Sequence, residues 1–275
     1  MKLDYKRTVY IGLAFFIISM FWVVYDNIIA KMLINHFGLN QTASGFVMAL
    51  DNIVALFMLP LFGTISDKTH TKYGKRTPYI FWGVILSALF FIGVGIFGTA
   101  QQNAVKDAQI PEVVEIIENE EVIGYAYKDQ EFKWETGEDK KSLYEYKEEA
   151  LRTRQADAKA VSDDNICYLI GFLAFLCVVL IIMSIYRTPA VSLMPDVTPK
   201  PLRSKANAII NLMGTVAGIL CLAIITVNEI LFKSSYMFTF ILLSVLMVGF
   251  LVLFLIKIKE PLLVKEFQEK YPEEK

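Results

Sequence analysis

The chain has 275 residues, of which 55% are hydrophobic and 13% aromatic, and its formal net charge is -1. A mean hydropathy of +0.46 is too apolar for an ordinary water-soluble domain of this length, so an all-α membrane protein is expected. The balanced charge offers no basic footprint, and no nucleic-acid partner is expected.

Six runs are long enough to cross a bilayer, since about 20 apolar residues span a hydrocarbon core of roughly 30 Å. They cover approximately residues 8–33, 43–62, 78–97, 166–194, 206–227 and 236–255. The first is too long for a signal-peptide core and lacks a small-residue cleavage site, so no cleavable leader is expected. Lys2, Lys6 and Arg7 precede span one; Lys68, Lys72, Lys75 and Arg76 follow span two. Lys200, Arg203 and Lys205 follow span four, and Lys257, Lys259 and Lys265 follow span six. This bias places both termini on the cytoplasmic side of a membrane, expected to be the plasma membrane. The organisation expected is spans one to three over 1–99, an insertion over 100–165, spans four to six over 166–256, and a cytoplasmic segment over 257–275.

Span one carries Asp26 and span two carries Asp51, followed by Asn52. Each acid lies about eight to ten residues below the outer end of its helix, at a depth of roughly 12–15 Å. A carboxylate there must be neutralised, paired or hydrated, which makes both acids candidates for a site around one aqueous cavity. The plainer alternatives are that each caps a neighbouring helix or that Asp26 pairs with Lys31. The turn after span two, from Gly63 through Asp67, Lys68, Gly74, Lys75 and Arg76 to Tyr79, packs an acid and several cations between two apolar runs. Such a cluster belongs at a membrane surface.

In the insertion acids outnumber cations by about two to one, which suits the outer face. Residues 121–134 alternate apolar and polar around Lys128-Asp129, as a hairpin would, and 139–161 reads as an exposed, charge-laced helix. Span four holds Arg187, about 13 Å above Asp196 if the helix persists to Pro195. A guanidinium at that depth needs an acid or water, and Asp51 and Asp26 are its expected partners. In span five Asn207, Asn211 and Thr215 recur every fourth residue on one face, beside Gly214 and Gly218. That stripe either holds helices together or lines a cavity. Cys167, Cys177 and Cys221 have no metal-like spacing and read as small lipid- or core-facing residues. No nucleotide-binding loop, metal cluster or nucleophile–base pair is evident, so an enzyme is not expected.

The pattern Gly63-x-x-x-Asp67-Lys68, then Gly74-Lys75-Arg76-x-Pro78, resembles the loop between the second and third helices of the major facilitator superfamily. The spacing from Asp67 to Gly74 and the trailing Arg-Thr-Pro-Tyr resemble its glycoside–pentoside–hexuronide and sucrose:proton symporter-like branches. The resemblance implies a six-helix bundle that forms the N-terminal half of a facilitator fold, with a second six-helix half supplied in cis or in trans. It implies a cytoplasmic gate built from Gly63, Asp67, Lys68, Gly74, Lys75, Arg76, Asp196 and Arg203. Coupling and substrate contacts would fall to Asp26, Asp51, Asn52, Arg187, Asn207 and Asn211.

Tyr186-x-x-Pro189-x-x-Ser192-Leu193-x-Pro195 also resembles helix four of melibiose-type sodium symporters. In that comparison the sodium-site acid falls on Arg187, the sugar-stacking aromatic on Val191, and the paired acids of helix two on Ala55 and Leu59. Sodium is therefore the less expected ion. Arg187, Pro189, Leu193 and Asp196, with Met48 to Asn52, fit the proton-coupled branch better. No cofactor is expected besides the coupling proton, and the substrate implied is a sugar. The contrasting possibility is a membrane-anchored binding or sensor protein that presents the acidic module.

Overall fold

The computed structural model describes residues 3–118, 120–133, 143–232 and 236–272. Helix α1 (Tyr5–Val24) opens on Asp4, whose carboxylate accepts the Arg7 N–H at 3.1 Å. It runs through a π-helical turn (Tyr25–Ile29) into α2 (Ala30–Asn35), forming the first apolar span. Asn40 caps α3 (Gln41–Lys68) by accepting the Ala43 N–H at 2.7 Å, and α4 (Thr77–Asp107) begins with a proline in its first turn. After the insertion come α6 (Ile166–Val197), α7 (Arg203–Phe232) and α8 (Tyr236–Lys257), then a short polar helix α9 (Glu260–Lys270).

Among the described residues, six helices are long and apolar enough to cross a membrane. They pack as neighbours α1 with α7 and α8, α4 with α6 and α8, and α3 with α6. Little hydrophobic force separates helix contact from lipid contact in a bilayer, so close approach depends on small residues and shape. At Gly83 an added Cβ would stand 2.4 Å from the Tyr186 ring, and at Gly93 2.1 Å from that of Phe175. Those two glycines let α4 and α6 meet. Phe91 joins the halves of the core, with its ring 4.9 Å from Phe21 and 4.7 Å from Phe240. The apolar span expected to end at residue 97 and the first residues of the insertion assigned to 100–165 share one helix. Helix α4 continues unbroken to Asp107, two to three turns beyond the apolar stretch.

The insertion is a small folded unit. Strands β1 (Val114–Glu118), β2 (Glu121–Tyr127) and β3 (Gln130–Lys133) form an antiparallel sheet in that order. The β2–β3 hairpin turns at Lys128-Asp129, as the alternation indicates; Trp134 lies outside the described residues. Strand β1 adds an edge with a register shift at Ile116/Ile117. Helix α5 (Leu143–Asp164) is not exposed all round as its charges suggested: Tyr146, Ala150, Arg154, Ala158 and Ser162 form a buried face at four-residue spacing. Residues 139–142 of the expected helix lie outside the described ones. Asp157 on α5 holds the hairpin by accepting from the Tyr127 hydroxyl at 2.5 Å and from Lys128. The Lys128 and Tyr127 bonds keep the Asp157 carboxyl below its usual range.

The unit is fastened to the end of the bundle opposite the Lys-rich loops. Arg154, buried, donates to the carbonyls of Pro111 and Asn35, each at 3.0 Å. Gly38 has φ +65°, and a Cβ there would lie 2.3 Å from the Lys159 backbone nitrogen. Only glycine fits both the backbone and the gap.

His36 lies in the same junction, accepting on its carbonyl from Gln101 Nε2 at 2.9 Å while its ring stands edge-on to Tyr236. Burial, then the charges of Arg154 and Lys106, push its imidazole down to about 4. The folded form therefore resists a proton that the opened form accepts near 6.5. Junction stability should be full above pH 6.5 and fall as pH drops toward 4, by up to about 3 kcal/mol. Hydrogen exchange of the α5 amides at pH 7 and pH 5 measures this, and His36→Gln should flatten the difference.

Candidate transport site and cytoplasmic gate

Two groups of polar side chains stand out, one inside the membrane and one at its Lys-rich face. The inner group forms where α1 widens into its π-turn. Such turns insert an extra residue and shift the register of the side chains that follow, and they concentrate at functional sites. Here the turn begins Tyr25-Asp26. The Tyr25 hydroxyl donates to the Met48 carbonyl at 3.1 Å, which ties the turn to α3 one helical turn before Asp51. Asp26 follows Tyr25 in the turn and Asp51 lies three residues beyond Met48, so both acids stand close in sequence to the residues of this contact. Asn52 donates to Asp51 at 2.9 Å. Asp26 is exposed on the surface of the bundle and Asp51 partly so.

Helix α6 persists through Pro189 and Pro195 to Val197, so Arg187 does sit about 13 Å up from Asp196. Its guanidinium is not paired with either acid. It lies 5.4 Å over the Trp22 ring, which in turn meets Tyr25 edge-on at 5.4 Å. Among the described residues Arg187 makes no ion pair. A planar cation over an indole face is a favourable contact that leaves the guanidinium edge free to donate. The Trp22 indole N–H is buried with no hydrogen-bond partner among the described residues. Lys31 does not pair with Asp26: it reaches Glu229 on α7 at 3.3 Å.

The polar stripe of α7 also departs from one of its readings. Asn207, Asn211 and Thr215 are exposed on the surface of this bundle, so they do not hold its helices together. The glycines beside them do that: a Cβ at Gly214 would come within 2.7 Å of the Phe15 ring on α1.

At the Lys-rich face Arg76 brings together two of the acids expected for the gate, Asp67 and Asp196. Arg76, 4% exposed, donates through Nε to Asp196 at 2.9 Å, through Nη1 to Ser66 at 2.5 Å, and through Nη2 to Asp67. It thus joins the end of α3, the start of α4 and the end of α6. Burial works against the guanidinium charge, but the bond to Asp196 and the Asp196 and Asp67 charges outweigh it and hold the group above its ordinary range. Arg203 is near rather than in this network: it donates to the carbonyls of Thr198 at 3.1 Å and Pro195 at 2.9 Å, closing the end of α6. Gly63 lets Thr188 of α6 approach α3 to 3.2 Å from an added Cβ. The side chains of Lys68 and Lys75 make no ion pair among the described residues, so their placement in the clamp is not realised in this conformation.

Glu260, the first residue of α9, is the member that sequence reasoning missed. It is 1% exposed, and its carboxylate accepts the N–H groups of Lys75 at 2.7 Å, Arg76 at 3.0 Å and Thr77 at 2.8 Å, plus the Thr77 hydroxyl at 2.8 Å. An acid on the positive end of a helix satisfies orphan donors and the dipole together. Gly74, at φ +110°, is required here, since a Cβ would lie 2.3 Å from the Glu260 carboxylate. The one sequence signal was an acid before Pro261 at a helix start, which gave no hint of a distant partner.

The family model for MFS/sugar transport proteins matches residues 10–106. That stretch holds the π-turn, Asp51 and the Asp67–Arg76 loop. A lactose permease of Lactobacillus helveticus is 40% identical over 75 residues, covering 24% of this chain and 12% of the permease. No solved structure matches the chain. Residues 10–106 are thus similar to MFS/sugar transport proteins, and six helices among the described residues are long and apolar enough to cross a membrane.

Proposed function

We propose that this chain is the N-terminal half of a proton-coupled sugar symporter that works by alternating access, with a second six-helix half completing the cavity. The observation that carries this reading is the group of Trp22, Tyr25, Asp26, Asp51 and Arg187 at one level of the bundle. It combines an aromatic face, fixed donors and two acids, which are the parts needed to hold a sugar and to exchange a proton. The lactose permease match supports a sugar of the galactoside class as the first substrate to test.

Support for a second half comes from the surfaces left open. The apolar window of α3 has no residue buried inside the bundle, and that of α7 is 22% buried. The exposed Asn207–Asn211–Thr215 stripe is too polar to face hydrocarbon and suits the wall of an aqueous cavity. Proton rather than sodium coupling is supported by Arg187, Ala55 and Leu59 standing where melibiose-type acids would fall, because a fixed cation repels sodium from an oxygen cage.

Uptake of labelled lactose by vesicles that hold both halves, with an inward proton gradient, tests the reading. Accumulation above the no-gradient level is expected, and a protein that binds but does not transport would show none. For the topology, cysteines at Lys72 and at Asp129 should react with impermeant reagents from opposite faces. Labelling from one face alone would overturn the arrangement with the insertion outside.

A further inference from the structure

A groove of about 860 Å³ opens on the outside of the bundle where α4 begins and α8 gives way to α9. Its floor and walls are apolar: Phe81, Trp82, Leu255 and Leu262 among them. Trp82 is 59% exposed and Leu262 55%, so the groove is continuous with the outer wall of the bundle and no segment of the described chain fills it. Its volume lies in the range of sites that hold a small organic molecule. At its rim stand Lys72 and Lys259. Both are exposed and neither makes an ion pair among the described residues. Glu260, next to Lys259 in sequence, is turned inward onto the start of α4.

From this arrangement we infer that the groove is a binding site for an anionic phospholipid of the Lys-rich leaflet. One acyl chain lies along Phe81, Trp82 and Leu255, and the phosphate sits between Lys72 and Lys259. This rests on the membrane placement proposed above. Charge complementarity selects the occupant. An apolar groove at the level of the headgroups is filled by lipid, and two unpaired ammonium groups at its rim favour a lipid with net negative charge over a zwitterionic one. Trp82 and Tyr73, at the same level, are the amphipathic rings that settle at an interface. A lipid there would bridge the loop before α4 and the start of α9, the two segments that Glu260 joins. The headgroup is therefore placed to stabilise the closed cytoplasmic face.

The test is retention of lipid by the whole protein in detergent, read by native mass spectrometry. The lipids are equimolar phosphatidylglycerol and phosphatidylcholine with identical acyl chains. Phosphatidylglycerol should be retained in preference. The Lys72→Gln/Lys259→Gln pair should lower its retention at least about tenfold while phosphatidylcholine is unchanged. Lys265→Gln, a cation of the same face outside the groove, should have no effect, and glycerol 3-phosphate should not displace the lipid. Equal retention of the two lipids, an undiminished phosphatidylglycerol signal in the double variant, or displacement by glycerol 3-phosphate would overturn the proposal. None of these readouts depends on transport, so this inference and the proposed function fail separately.

Discussion

Replacing Arg76 with alanine is expected to destabilise the chain by about 3 kcal/mol, close to the lower end of what breaking a buried ion pair costs. The contribution of its arms is unequal. Asp67 is 61% exposed, so that contact adds at most about 1 kcal/mol. The loss comes from Asp196, 26% exposed, and from Ser66, which is fully buried; both would be left without their donor. Arg76→Lys should recover little, because one ammonium does not reach three acceptors that a planar fork serves together. Glu260→Gln should cost on the order of 2 kcal/mol, since an amide offers one acceptor oxygen where the carboxylate offers two and carries the charge the helix end attracts. Thermal unfolding in detergent measures each variant. A change of a few tenths for Arg76→Ala would mean that the network is decoration rather than a joint.

The second large effect concerns Asp51. With the second half present, Asp51→Asn should abolish accumulation of sugar against a gradient and spare exchange of sugar for sugar. Exchange needs the cavity to reorient loaded, whereas accumulation needs a proton to bind on one side and leave on the other. Arg187 is held over Trp22 at the level of the two acids. Movement of Arg187 from the indole toward Asp51 would favour release of the proton, and movement back would favour its capture. Arg187→Lys should therefore impair coupling even though charge is kept, and Trp22→Phe, which keeps a face but weakens the cation contact, should impair it less. Uptake and counterflow in the same vesicles separate the two activities. Undiminished pH-dependent accumulation by Asp51→Asn would pass the coupling role to Asp26 or to the second half.

The contact of Asp67 with Arg76 was legible because both lie in one short charged turn between two apolar runs, and Asp196 joins them from the end of α6. The spans and the hairpin followed from apolar length and alternation for the same reason. What the sequence hid depended on contacts between distant segments. Glu260 looks like an ordinary helix-start acid until the fold brings it to Thr77. The π-turn at Tyr25–Ile29 leaves no mark in composition, since it moves residues by one position without changing their kind. The pairing of Lys31 with Glu229 was settled by which helix stands beside α2, and charge alone could not choose between Glu229 and Asp26. Helix α5 reads as solvated because its charges dominate, yet small Ala150 and Ala158 form the face that the sheet and loops cover.

The most direct measurement is the pH change that accompanies sugar entry. Lactose or another galactoside is added to weakly buffered, de-energised vesicles that hold this chain with its second half. The external medium should turn alkaline as sugar moves inward, and a protonophore should erase the signal. The Asp51→Asn variant should show no alkalinisation. Entry of labelled sugar with no change in external pH, or the same alkalinisation in the variant, would contradict proton-coupled symport through this group of residues.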